Sequence, residues 1–196
     1  VGESMGGLLA LIGDPDRKPA RAGISLGDSL AGMFATMGAL TALHHRDRTG
    51  EGQVVDASIY ESVLALMEAT IPEYAIEGFV RQRTGSYLPG IAPSNIYDCA
   101  DGQVVIGANQ DTVFRRLAMA MGAPELASDP CYADHVARGQ NQQALDDRIT
   151  QWTSQYSASV VQKIMDDHGV PCSKLYRAED MLNDPHYQAR EAVVSV

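Results

Sequence analysis

Gly27-Asp28-Ser29-Leu30-Ala31-Gly32-Met33, followed by Arg46-Asp47-Arg48-Thr49-Gly50-Glu51-Gly52-Gln53, is the stretch whose pattern decides the fold. Between the two runs Ala31, Gly32, Ala35, Gly38, Ala39 and Ala42 recur at spacings of three and four. That spacing stacks them on one helix face, where a second backbone or a flat ligand can approach closely. Asp28 and Ser29 fall where a helix start needs a side-chain acceptor, and Gly50 falls where a left-handed exit is wanted. The pattern predicts a helix from about Asp28 to Arg46, with Asp28 as its N-cap.

Outward from this helix, Met5–Ile12 is short and apolar and closes on Gly13-Asp14-Pro15-Asp16. Beyond it, Gln53–Ala57 is β-branched and predicts a short buried strand, and Ser58-Ile59-Tyr60-Glu61 reads as a capping box. The helix it opens should bury Ile59, Val63, Leu66, Met67, Ile71 and Tyr74, with a kink or an end at Pro72. Strand followed by long helix predicts an α/β layer. Gly85, Pro89, Gly90 and Pro93 break the pattern, so residues 1–78 form one domain, 79–93 a linker and loop, and 94–190 a smaller domain. In the smaller domain, strands are expected at Ser94–Tyr97 and Gln103–Ala108 around a turn at Asp98–Gly102. Helices are expected at Asp111–Met121, Asn141–Tyr156 and Ser159–His168, then a strand at Val170–Tyr176 and a short helix at Ala178–Leu182. A last strand should begin at residues 191–196.

The chain has 196 residues and a formal net charge of -10. That charge disfavours nucleic acid and anionic membrane surfaces, which attract positive fields, yet leaves room for a polyanion held by a few local cations. Cys99, Cys131 and Cys172 are widely spaced and odd in number, which fits a reducing, cytoplasmic setting without a disulfide framework. The apolar run Leu30–Leu43 is shorter than the roughly 20 residues a bilayer span needs. Five histidines form no ligand set, so no metal is expected. His168 suits the C-terminal end of a helix stopping at Gly169.

The quoted motifs, with the opening Val1-Gly2-Glu3-Ser4-Met5-Gly6-Gly7, resemble the class III coenzyme A transferases of the formyl-CoA transferase or CaiB/BaiF type, whose relatives include 2-methylacyl-CoA racemases. The resemblance runs from Met5 to about Arg190. It implies an α/β fold, with part of a Rossmann-like large domain plus a smaller α/β domain, in an interlocked homodimer. It also implies transfer of coenzyme A between an acyl-CoA and a small carboxylic acid through an aspartyl anhydride and thioester, with the CoA thioester as substrate and no covalently bound cofactor. By the match at Val1–Gly7, the catalytic aspartate lies just before Val1, so this chain contributes no catalytic residue and is a fragment expected to be inactive alone. Asp28, Asp56 and Asp101 read instead as cap and turn residues.

Within the resemblance, Gly85, Ser86, Gly90, Ile91 and Ala92 take the position of a glycine loop over the active site. Glycines there let backbone N–H groups approach a developing oxyanion, although Ser86-Tyr87-Leu88-Pro89 makes this loop bulkier than a run of glycines. Met33 and Thr36 fall in a region that borders coenzyme A in the family, or serve ordinary helix packing. Arg17, Lys18 and Arg21 suit the phosphates of coenzyme A, or form a solvated turn. Against the racemase, Gly107-Ala108-Asn109-Gln110 places a glutamine where racemases carry a glutamate, and glutamine takes no proton from carbon. A third possibility is a non-catalytic dimerisation module.

Overall fold

The computed structural model describes residues 1–194. The chain divides into two compact units, Val1–Ser86 and Tyr87–Val196, so the division falls inside the 79–93 segment.

Among the described residues the first unit is helical. It comprises α1 (Gly2–Met5), a 3-10 turn at Leu8–Ala10, α2 (Leu26–Thr49), α3 (Ile59–Leu64) and α4 (Thr70–Glu77). The small-faced helix is longer at both ends than expected. Ser25 is its N-cap, and Asp28 lies inside the first turn, where a carboxylate still favours the positive end of the helix dipole. The N-cap role expected of Asp28 is therefore corrected, whereas Gly50 closes the helix in the left-handed region at φ 78°. The small face is partly filled by protein. A Cβ at Gly38 would stand 2.5 Å from Val55 Cγ1, and one at Gly27 would stand 3.0 Å from Ile59 Cγ2. The α1 helix meets α3 as closely, since a Cβ at Gly6 would lie 2.6 Å from Val63 and 2.7 Å from the Tyr60 carbonyl.

Three further expectations in this unit are overturned. Residues 53–57 form no strand: a strand needs a ladder partner, and Val54 stays 95 % exposed while Val55 packs on Gly38. Ser58 does cap α3, its side chain accepting the Glu61 N–H and bonding the Glu61 carboxylate. That helix stops at Leu64, however, and Glu68 takes φ 51°, so Pro72 sits in the first turn of a separate α4, where no backbone donor is required. Of the six apolar residues expected on one face, Val63 and Met67 are buried, whereas Ile59, Leu66, Ile71 and Tyr74 are exposed. Finally, α2 extends past Leu30–Leu43 to 24 residues, about 36 Å at 1.5 Å per residue. By length and composition it is apolar enough to cross a membrane.

The second unit is a three-stranded antiparallel sheet covered by helices. Strands β1 (Ser94–Asp98) and β2 (Gln103–Gly107) form the expected hairpin with Asp98 opposite Gln103, and β3 (Cys172–Lys174) pairs with the other edge of β2. Val104 and Ile106 are buried while Gln103 and Val105 face outward, the period-two alternation of a one-sided sheet. Helices α5 (Asp111–Ala120), α6 (His135–Gln140), α7 (Gln142–Thr153) and α8 (Ala158–Asp167) follow, with a 3-10 turn at Pro124–Ser128. Phe114 and Leu117 from α5, Leu145 and Ile149 from α7, and Val161 and Met165 from α8 close the core over Tyr97, Val104 and Ile106. Beneath them the Tyr97 hydroxyl donates to Asp146 Oδ1 at 2.6 Å and Asn95 Nδ2 donates to Oδ2 at 2.9 Å. His168 caps α8, its Nδ1 2.8 Å from the Ile164 carbonyl, and Gly169 exits at φ 64°. The short helices α9 (Ala178–Asn183) and α10 (Pro185–Ala189) end the unit. The strand expected from 191 runs into residues 195–196, which lie outside the described residues, and Ala192–Val194 are irregular.

Candidate functional site

The basic turn and the start of the glycine loop meet inside the first unit. Arg83 Nε donates to the Asp14 carbonyl at 3.2 Å, and its Nη2 donates to the carbonyls of Pro15 and Arg17 at 3.3 and 3.2 Å. One residue beyond Thr84, the Gly85 N–H donates to the Gly13 carbonyl at 3.1 Å. A planar guanidinium is suited to gathering several carbonyls at fixed angles. Here it holds the turn that carries Arg17, Lys18 and Arg21, whose own side chains remain exposed. Three cations on an ordered turn, free to swing into solvent, can meet phosphates.

Met33 and Thr36 stand on α2. Met33 is 63 % exposed, and Thr36 Oγ1 donates back to the Gly32 carbonyl at 2.8 Å. The Thr36 hydroxyl is thus occupied by its own helix, while Met33 offers a flexible apolar surface.

The later part of the loop belongs to the second unit and is held by the junction of α6 and α7. Arg138, wholly buried, donates from Nε to the Ala92 carbonyl at 3.2 Å, from Nη1 to the Tyr132 carbonyl at 3.1 Å and from Nη2 to the Asn109 carbonyl at 2.8 Å. Its Nη2 also pairs with Asp111 at 2.6 Å, and its guanidinium lies 4.7 Å from the Phe114 ring centre. The guanidinium holds the Asp111 carboxyl below the usual range. Gln142 accepts the Gly90 N–H at 3.2 Å and donates to the Leu88 carbonyl at 3.4 Å. The Ile91 N–H bonds the Leu88 carbonyl at 3.2 Å. The amides of Gly85, Gly90 and Ile91 are therefore all engaged within the protein, which corrects the expectation that these amides stand ready for an oxyanion: in this conformation they shape the loop.

Gln110 is the N-cap residue of α5, with its carbonyl accepting the Val113 and Phe114 N–H groups. It sits at a helix entry, not at a strand end. Asp101 accepts the Ala158 N–H at 2.7 Å and fastens the hairpin turn to α8. All three cysteines are free, and burial pushes the Cys172 thiol up to about 12, away from thiolate chemistry. Among the described residues, no three His, Cys, Asp or Glu side chains come together as a metal site. Arg83, Arg138 and Gln142 were not legible as anchors: a lone Arg or Gln in a short helix or loop carries no spacing signal, and only tertiary contact reveals its partners.

The whole chain, residues 1–196, matches the family model described as CoA-transferase family III. It is 58 % identical to succinyl-CoA–D-citramalate CoA-transferase of Chloroflexus aurantiacus over 100 % of this chain and 49 % of that protein. Succinyl-CoA:mesaconate CoA-transferase of Haloarcula hispanica is 33 % identical over 100 % of this chain and 49 % of its own length. Among solved structures, a CaiB/BaiF family protein from Brucella suis superposes with a TM-score of 0.81 at 29 % identity, covering 97 % of this chain and 50 % of the other. A hypothetical protein from Mycobacterium tuberculosis shares the fold, with a TM-score of 0.83 at 20 % identity over 97 % of this chain and 50 % of its own. The chain spans about half the length of the curated relatives it matches. The mixed α/β fold and the motifs around α2 agree with these matches, and the chain belongs to CoA-transferase family III.

Proposed function

We propose that the polypeptide carrying this chain transfers coenzyme A from succinyl-CoA to a small dicarboxylic acid of the citramalate type. The observation that carries this reading is the 58 % identity to the Chloroflexus citramalate enzyme along the whole chain, against 33 % for the mesaconate enzyme. In this reading an aspartate ahead of Val1 attacks the acyl carbonyl and CoA leaves as thiolate, giving a mixed anhydride. The thiolate then attacks the aspartyl carbonyl and releases the donor carboxylate, leaving an aspartyl thioester. The acceptor carboxylate attacks that thioester and the steps run in reverse, so one hard substitution is divided into easier ones.

The residues described here serve that sequence by binding and enclosing. Arg17, Lys18 and Arg21, on the turn held by Arg83, meet the phosphates of coenzyme A. Met33 lies along its apolar arm, and the loop at Gly85, Ser86, Gly90, Ile91 and Ala92 encloses the acyl group. The exposed apolar side chains of the first unit, among them Met37, Leu40 and Ile76, are covered by the rest of the subunit and by a second subunit in an interlocked homodimer. Three free thiols accord with a cytoplasmic setting.

The test is the full-length polypeptide incubated in deuterated buffer with succinyl-CoA and, separately, D-citramalate, mesaconate, L-malate and oxalate. Mass spectrometry should show a new CoA thioester with citramalate, without deuterium at the α-carbon. α-Deuterium in the starting thioester without acyl exchange would mark a racemase.

A further inference from the structure

We propose that Gln142 and Gly139 are positioning residues for the reaction, together forming a seat that fixes the loop segment 88–92 in its working shape. This rests on the transferase reading for its catalytic part and on geometry alone for its structural part. Gln142 is 8 % exposed and engages the loop twice, accepting from the Gly90 N–H at 3.2 Å and donating to the Leu88 carbonyl at 3.4 Å. An amide side chain is the group that can do both at once, since it carries an acceptor and a donor side by side. Gly139 approaches the same point from α6. A Cβ there would stand 3.0 Å from both Gly90 Cα and the Gly90 carbonyl oxygen, which is backbone and cannot swing aside as a side-chain end can. The absence of a side chain at Gly139 therefore brings the helix onto the loop backbone. Arg138, next to Gly139 in the chain, holds the Ala92 carbonyl and completes the grip.

Two features argue that the grip serves more than the fold. Gly139 lies inside α6 (His135–Gln140), where alanine is the better helix former. The helix gains nothing from glycine, and the loop does. Gln142, at the first position of α7, is buried although a side chain there can ordinarily point to solvent. Both anomalies point at Gly90, whose φ of 75° sets the bend of the loop.

The experiment uses the full-length polypeptide with Gln142→Met, which keeps length and removes both hydrogen bonds, with Gly139→Ala, and with Gln143→Ala as control. Gln143 is exposed and bonds Asp147 one turn along the same helix. Amide hydrogen exchange at Gly90 and Ile91 reports the seat, and steady-state transfer from succinyl-CoA reports its use. Exchange should quicken about tenfold in Gln142→Met, because the loop amide loses its partner. In both seat variants kcat should fall about tenfold or more while the KM for succinyl-CoA stays within about twofold, since a displaced enclosing group costs turnover more than binding. The control should match the wild type in both readouts. Unchanged exchange at Gly90 overturns the seat. Quickened exchange with unchanged kcat overturns its role in turnover. A wild type that exchanges as expected but transfers no CoA defeats the transferase reading and leaves the seat itself standing.

Discussion

Asp146 is a carboxylate taken out of water and kept by two donors, the Tyr97 hydroxyl and the Asn95 amide. Removing one of them should be felt. Tyr97→Phe is expected to destabilise the second unit by about 1–3 kcal/mol, the cost of a buried acceptor left short of a partner, read from the denaturation midpoint at constant m-value. Burial raises the Asp146 carboxyl above its ordinary value, outweighing its two donors. A group raised on folding disfavours the ionised folded state, so protonation on acidification, between the raised value and an unfolded value of about 3.9, should stabilise the fold. Asp111 behaves oppositely. The Arg138 hydrogen bond lowers it, so its contribution is present above about 3.9 and fades as pH falls through the lowered value. Asp111→Asn should therefore flatten the acid limb of a stability-against-pH curve below about pH 4, and Asp146→Asn should flatten the region just above it. Neither role is visible in the sequence. Nothing in the pair Asp146-Asp147 marks which of the two is buried, and only the approach of β1 to α7 distinguishes them.

At the level of elements, sequence pattern was most informative where the cause is local. Gly50 exits α2, Ser58 caps α3, and the hairpin at Asp98–Gly102 and the stop at Gly169 follow from turn and cap chemistry contained in a few consecutive residues. The pattern failed where a distant partner decides. Val54 and Val55 have strand propensity but no ladder to join among the described residues, and Val55 takes its place in the notch at Gly38. Two substitutions separate these cases. Gly50→Ala meets no neighbour within 4 Å and should cost about 1 kcal/mol from its φ of 78° alone. Gly38→Ala meets Val55 Cγ1 at 2.5 Å and should cost about 1–3 kcal/mol through overpacking. Val55→Ala should recover much of the second loss and none of the first, measured as a double-mutant cycle in thermal or chemical denaturation.

For the whole molecule, the two units differ in how they use apolar residues. The second closes a core around Tyr97, Ile106, Phe114 and Leu145, whereas the first leaves Met33, Met37, Leu40, Ile71 and Ile76 more than half exposed. Large exposed apolar residues at helical spacing, as at Met33, Met37 and Leu40 on α2, suit an interface. Residues 1–196 expressed alone should bind a hydrophobic dye and associate heterogeneously, while the full-length polypeptide should give a single dimeric mass by light scattering. Equal dye binding by both would remove the proposed cover. The family was legible in the motifs flanking α2, because they are short and contiguous. The substrate was not, because these short motifs name no group that would contact an acyl chain. The decisive measurement is product analysis of the full-length polypeptide with succinyl-CoA and D-citramalate in deuterated buffer: citramalyl-CoA and free succinate, with no α-deuterium, is the expected result, and deuterated succinyl-CoA with no new thioester would contradict the proposed CoA transfer.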